Sequence, residues 1–390
     1  MSVSRRGFLA GSAAAVGAAA SGRLAAAGAE APPPAAPVPF DGPHQAGVLD
    51  AGQAQATYVA LDAISPERGA LSLGLEAVSS KARRLTAGAS LIRADVDEPP
   101  SDSGILGPSY EPDGLTVTIG FGASLFDGRY GLKAPAGLQR MPSFPGDDLD
   151  PARCHGDVLL QICANNRDTV VHALRELMRP VRSAFALRWT LDGFQGASRS
   201  KGSRRNLFGF RDGTANPDVR DDALMRRLVW TPEGGTFQVV RAIRMHVEFW
   251  DRVGLREQEN MIGRTRDTGA PLGGTQELQD PRLDLDPKGD RIPLDAHIRL
   301  ANPRTPQTDD QRLLRRAFNY HRGFDEAGQL DQGLIFVAFN QDIERQFATI
   351  QKRLAGEPMA DYVTPVGGGY FYAPPGSRGP NDWVGSGLFT

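Results

Sequence analysis

The spacing of apolar and polar positions changes several times along this chain, and each change marks an element. Residues 56–62 (Ala-Thr-Tyr-Val-Ala-Leu-Asp) read as a strand, and residues 115–121 (Leu-Thr-Val-Thr-Ile-Gly-Phe) alternate with the period of two that a strand requires. Between them a helix is predicted over 71–91, with Leu73, Leu75, Val78 and Leu85 among its apolar positions. Residues 156–164 are apolar on both faces, which places that strand at the centre of a sheet. A helix over 169–181 and a strand over 184–191 complete the order β, α, β, β, α, β. That is the split βαβ pattern of a ferredoxin-like sandwich.

The second half of the chain repeats the theme. A strand is predicted over 237–249, a charged helix over 251–260, a buried strand over 333–340 and a helix over about 342–354. Leu159-Leu160-Gln161-Ile162-Cys163-Ala164-Asn165 and Leu334-Ile335-Phe336-Val337-Ala338-Phe339-Asn340 are both apolar strands that end in Asn before a helix. Their offset, 340 − 165 = 175, is close to half of the chain that follows the N-terminal segment described next, as an internal duplication requires. The predicted class is α+β, with two ferredoxin-like domains over 51–222 and 223–390. A sizeable ligand pocket is most easily built at the seam between them.

The N-terminus has the character of an address. Ser4-Arg5-Arg6-Gly7-Phe8-Leu9 is a twin-arginine pair before an alanine-rich, weakly apolar run, with several A-x-A cleavage sites before residue 31. A twin-arginine export signal is expected over 1–31 and a proline-rich leader over 32–50, with the periplasm, cell envelope or exterior as destination. That route carries folded proteins, often with a cofactor inserted. The 44 basic residues nearly balance the 46 acidic ones, so there is no excess to hold nucleic acid, and no run of 18 apolar residues would span a membrane.

Metal chemistry is restricted by what the chain lacks. Cys154 and Cys163 are nine residues apart in a segment read largely as strand, about 30 Å if fully extended, so no disulfide is expected between them. There is no C-x-x-C-H and no paired C-x-x-C. With six histidines and two cysteines, any metal must come with few protein ligands, which favours one held mostly by a cofactor.

Three stretches carry candidate chemistry. The first is Gly209-Phe210-Arg211-Asp212-Gly213-Thr214-Ala215-Asn216-Pro217, a loop by its turn residues, presenting Asp212. It reads either as a solvated Asp-Gly turn or, given Phe208 and Phe210 beside the carboxylate, as a functional acid in an apolar setting. The second begins at His297, in His297-Ile298-Arg299-Leu300-Ala301-Asn302-Pro303-Arg304-Thr305. One imidazole backed by two arginines suits an anionic cofactor, the ring binding a metal and a guanidinium holding a carboxylate. The other five histidines, His44, His155, His172, His246 and His321, read as structural. The third stretch, Leu313-Leu314-Arg315-Arg316-Ala317-Phe318, sets two arginines in an apolar frame, where they either snorkel or pair with a buried anion.

Taken with Gly120-Phe121-Gly122-Ala123-Ser124-Leu125-Phe126, Cys154-His155-Gly156-Asp157 and Gly367-Gly368-Gly369-Tyr370-Phe371, these stretches resemble the dye-decolourising peroxidase family, in its exported deferrochelatase/peroxidase branch. Gly209 to Gly213 matches the family's GxxDG motif, and the pieces run in family order. The resemblance implies one non-covalent haem b per chain at the domain seam, mainly in the C-terminal domain. It makes His297 the proximal axial ligand of the iron, and Asp212 and Arg315 the catalytic pair. Gly213, Thr214 and Ala215 are then expected to line the haem, and Asn302, Pro303 and Arg304 to lie along its edge, with Arg304 on a propionate. For the acid that the family places behind the proximal histidine, Asp331 is suggested without a motif to fix it.

The implied activity is H2O2-dependent oxidation of dyes, phenols or similar organic donors. Electrons could travel through Trp189, Trp230, Trp250 or Trp383, although a core position is the plainer reading of each. Two alternatives remain. One is release of iron from haem with the porphyrin left intact, with haem or protoporphyrin as substrate and association with a membrane iron-uptake system. The other is a non-enzymatic secreted haem carrier, which would need neither Asp212 nor Arg315. A homodimer is also implied by the family.

Overall fold

Strand pairing turns the suspected duplication into geometry. The computed structural model describes residues 36–90, 97–196 and 202–389, and the export signal expected over 1–31 lies outside them. The first half supplies β1 (Gln55–Ala63), α1 (Arg68–Thr86), β2 (Thr116–Gly122), β3 (Val158–Ala164), α2 (Arg167–Met178) and β4 (Phe185–Phe194). The second supplies β5 (Thr236–Met245), β6 (Phe318–Phe324), β7 (Leu330–Asn340) and β8 (Val363–Ala373). The first half is ordered β2-β3-β1-β4 and the second β6-β7-β5-β8, both antiparallel. In each half the strands thus lie in the order second, third, first, fourth, the ferredoxin-like arrangement. The aligned segments 159–165 and 334–340 fall on β3 and β7, the third strand of each repeat.

Two short joints connect the repeats. Phe371 and Tyr372 of β8 pair with Gly122 and Phe121 of β2, and Phe194 of β4 pairs with Asn319 of β6. Each edge strand of one half thereby meets an edge of the other, over two residue pairs at one joint and one at the other. β3, predicted to be central, lies between β1 and β2 and is buried at all seven positions.

The differences from expectation are local. The predicted helix 71–91 starts earlier and stops at Thr86, because Gly88 takes a left-handed turn (φ 76°). Its core face is Leu71, Leu75, Val78, Ala82 and Leu85, while Leu73 points to solvent. The strand expected over 237–249 ends at Met245, and Val247–Trp250 forms a helical turn that sends Trp250 inward. A short apolar run does not distinguish the two conformations. The glycine-rich 367–369 segment, cited above only as a motif, lies inside β8. Both cysteines are free and buried.

Gly368 shows why that strand carries glycines. Its φ is +120°, it bridges to Cys154, and an added Cβ would run into the carbonyl oxygen of Val240. Gly368→Val is expected to destabilise the protein by at least about 2 kcal/mol, seen as a lowered Tm in a thermal melt. An unchanged melt would mean that β8 and β5 can separate at this point without loss.

Candidate functional site

Segments far apart in sequence converge on one largely apolar cavity over the sheet of the second half. Ile243 and Met245 of β5, Leu334 and Phe336 of β7, and Val363 and Pro365 of β8 form its apolar surface. The 206–215 loop, His297 and Arg315 bring the polar groups.

The loop is held by its own side chains. The Asn206 carboxamide oxygen accepts from the backbone N–H of Phe208 (3.1 Å) and of Phe210 (3.2 Å). Both phenylalanines are buried: Phe208 stacks on Trp250 at 4.4 Å between ring centroids, and Phe210 meets the same indole edge-on at 6.1 Å. Burying rings of this size stabilises the loop by roughly 1.5–3 kcal/mol each. The apolar neighbours of Asp212 therefore anchor its loop as well as lining the cavity. Trp250 itself is buried, so it offers no exposed end for electron entry.

Asp212 is not a solvated turn residue. Its Oδ1 accepts from the backbone N–H of Gly213 (2.7 Å) and from Arg315 Nη1 (3.0 Å), and its side chain is 19% exposed. Gly213 has φ 86°, a conformation that favours glycine.

Arg315 comes from a two-residue strand, Leu314–Arg315, paired with β7. Asn216 clamps that backbone on both sides: its Nδ2 donates to the Arg315 carbonyl (2.7 Å) and its Oδ1 accepts from the Arg315 N–H (3.1 Å). Asn216 thus links the loop carrying the acid to the strand carrying the cation. The sequence signalled it only as the first residue of an Asn-Pro turn. Arg316 is buried and donates to the backbone oxygens of Asp50 and Ala51, so it neither snorkels nor meets an anion there.

His297 opens the helix α3 (His297–Ala301) and faces the cavity. Its Nδ1 bonds Glu357 Oε2 at 2.8 Å, and Nε2 makes no hydrogen bond among the described residues. Burial pushes the imidazole pKa down, but the Glu357 charge and hydrogen bond outweigh that, so the net shift is upward. The charges of Arg315 and Asp212 also act on this ring. Glu357 corrects the suggestion of Asp331, which instead forms an ion pair with Arg322 at 3.2 Å. The His297–Glu357 contact spans 60 residues, and no local motif marks it.

The remaining predicted residues separate into two groups. Gly213, Thr214, Ala215, Asn302 and Arg304 line the cavity, whereas Pro303 is not among its lining residues. Thr214 also donates to Glu277 (3.0 Å), and Asn302 Oδ1 accepts from the Arg304 N–H (3.1 Å), holding Arg304 in a left-handed conformation (φ 57°). Arg299 turns away to Asp286 (2.7 Å) and the Ile292 carbonyl. Of the other histidines, His44 stacks on Trp230, His172 bonds Ser103 and His246 bonds Thr364, all structural contacts.

Positive charge accumulates beside this cavity. Arg264, Arg304, Arg312 and Arg315 all line it. Arg264 is buried and hydrogen-bonds only backbone carbonyls. Burial, followed by the charges of Arg304 and Arg315, pushes its pKa down to about 10 against the pull of Glu277. Arg241, which the sequence did not single out, is buried against Asp147, with Nε and Nη1 lacking partners among the described residues. Apolar walls, an imidazole with one free nitrogen and surplus cations fit a largely apolar, carboxylate-bearing, metal-centred ligand such as haem. Among the described residues, no three His, Cys, Asp or Glu side chains converge to hold a bare ion.

Known proteins share this architecture. Residues 45–195 match the model for the N-terminal part of Dyp-type peroxidases, and residues 203–378 the model for the C-terminal part. A deferrochelatase of Escherichia coli (strain K12) is 47% identical over 366 residues, covering 90% of this chain and 86% of the relative. Among solved structures, a DyP-type peroxidase from Cellulomonas bogoriensis superposes with a TM-score of 0.81 at 36% identity, covering 90% of this chain and 98% of that one. DtpA from Streptomyces lividans gives 0.82 at 34% identity, covering 91% and 98%.

The Glu357 contact makes a prediction about pH. Because the folded pKa of His297 is raised, the stability contributed by this pair in cofactor-free protein is complete below the ordinary imidazole pKa. It is lost as pH rises through the elevated value. Glu357→Gln leaves burial dominant, so His297 should titrate below its ordinary range when the imidazole is followed by NMR. An imidazole that still titrates high in the variant would remove Glu357 as the cause.

Proposed function

Since the chain belongs to the Dyp-type peroxidase family, we propose that it is a haem b peroxidase, one haem per chain, which uses H2O2 to oxidise dyes, phenols or similar organic donors. The observation that carries this reading is the Asp212–Arg315 pair at 3.0 Å, sharing one cavity with His297.

His297 would hold the haem iron through Nε2. Gly213, Thr214 and Ala215 would face the macrocycle, and Asn302 and Arg304 its edge, with Arg304 the carboxylate partner. When bound, the haem supplies an iron that takes up peroxide and accepts its oxidising equivalents. Asp212 receives the proton of one peroxide oxygen and returns it to the other, which leaves as water. Arg315 orients that carboxylate and provides fixed positive charge where negative charge gathers on the departing oxygen. Glu357 accepts from Nδ1–H of His297, which directs Nε2 into the cavity and raises its basicity as a ligand. Asn216 keeps acid and cation in register from behind. Export of the folded protein by the twin-arginine route, to the periplasm or cell envelope, belongs to the same proposal.

A second reading is iron release from haem with the porphyrin left intact. The name carried by the 47%-identical relatives, deferrochelatase, favours it. A passive haem carrier has less support, because carriage has no use for a half-buried acid held against a guanidinium.

Two measurements separate these readings. In haem-loaded protein, Asp212→Asn is expected to lower kcat/KM for peroxide about 10²–10⁴-fold with the resting haem spectrum intact. Equal activity in the variant would remove Asp212 from proton transfer. Incubation with haem, followed by fluorescence of metal-free porphyrin, tests the second reading. On the peroxidase reading alone no metal-free porphyrin forms, and its accumulation with time would establish iron release.

A further inference from the structure

A second cavity, of about 480 Å³, has no lining residue in common with the one above. Arg129, Arg140, Arg188, His155 and three aspartates, Asp62, Asp127 and Asp157, bring charge or titratable groups to it, and Tyr370 forms part of its wall. The volume suffices for a small molecule.

The carboxylates are already committed. Arg129 pairs with Asp157 (2.7 Å) and Asp127 (3.1 Å), and Arg188 with Asp62 (3.0 Å). Arg140 has neither an ion pair nor a hydrogen bond among the described residues, and the same holds for the His155 imidazole. The His155 backbone is left-handed at φ 63°. It is held there by its N–H on the Gly368 carbonyl (2.8 Å) and by the Trp189 indole N–H on its own carbonyl (2.8 Å). A non-glycine residue kept in that region is strained, and such strain concentrates at functional positions.

The three arginines and three aspartates of the lining balance in number, but every aspartate is paired within the wall and Arg140 is not. Burial, then Arg140 and Arg188, push the His155 pKa down to about 4. The guanidinium of Arg140, left without a carboxylate partner beside a neutral imidazole, favours an anion over a cation. A neutral imidazole offers one N–H donor, and Arg140 offers the planar fork that matches a carboxylate or phosphate.

We infer that this cavity is a second binding site, taking a small oxyanion, carboxylate or phosphate, held by Arg140 with His155 as its hydrogen-bond partner. The site is independent of Asp212, Arg315 and His297, so it stands or falls separately from the peroxidase reading.

The test uses haem-loaded protein, titrated with benzoate and, separately, with inorganic phosphate. The readouts are the His155 imidazole resonance by NMR and the heat of binding. The expected result is a saturable, single-site shift of His155 by at least one probe. Benzoate alone indicates an organic acid as ligand, and phosphate alone a phosphate. Arg140→Ala should weaken that binding about tenfold or more, and Arg140→Lys should weaken it less. Arg140 is exposed, so both variants should keep the native melt and haem spectrum. His155→Asn, which tolerates the left-handed backbone, should weaken binding with the fold retained. Absence of a saturable shift with either probe, or unchanged affinity in Arg140→Ala, overturns the inference.

Discussion

The contact on which the rest of this structure depends is the ion pair between Asp212 and Arg315, residues 103 apart in the chain. Neither side chain could hold its place alone. The carboxylate sits on an irregular loop, which stays put because Phe208 and Phe210 are buried against Trp250. The guanidinium sits on a strand of two residues, too short to fix a side chain by its own ladder. Asn216 resolves this by bonding both backbone groups of Arg315 from within the loop, so acid and cation move as one body. A charge pair this close to an apolar cavity is worth more than one in water, and it would also be more harmful if one partner were lost.

The duplicated fold explains why the cavity forms where it does. Each repeat has the same strand order, and short pairings join the edges of one to the edges of the other. The second repeat differs by the long excursion between β5 and β6, which carries α3, Asn302, Arg304 and Arg315. That excursion brings the free nitrogen of His297 and a surplus of arginine to a sheet face that would otherwise be ordinary core. The arginines that line the cavity are only partly neutralised within the protein, so an anionic ligand completes the electrostatics there.

Much of this was legible in the residues. Asp212, Arg315 and His297 were readable because each lies in a short local motif, and the repeat was readable because β3 and β7 are similar apolar strands. What escaped has a common physical cause: it depends on contacts distant in sequence. Glu357 meets His297 across 60 residues and has no spacing rule, so Asp331 was a suggestion that the geometry replaces. Asn216 could be read as a turn residue but not as a clamp. Arg241 shares its strand with a second arginine, Arg244, and no local spacing tells that Arg241 is the one fully buried, against Asp147. Element ends were missed where a single glycine, Gly88, or a short aromatic run, 247–250, decided the conformation.

The central claim is that Asp212 and Arg315 act on peroxide as a coupled unit. The direct test is a double-mutant cycle on haem-loaded protein, with Asp212→Asn, Arg315→Leu and the double variant, following the second-order rate of reaction with H2O2. Strong non-additivity is expected, the double variant being little slower than the worse single one. Rate losses that simply multiply, with the haem spectrum unaltered, would show that the two residues act independently and would contradict it.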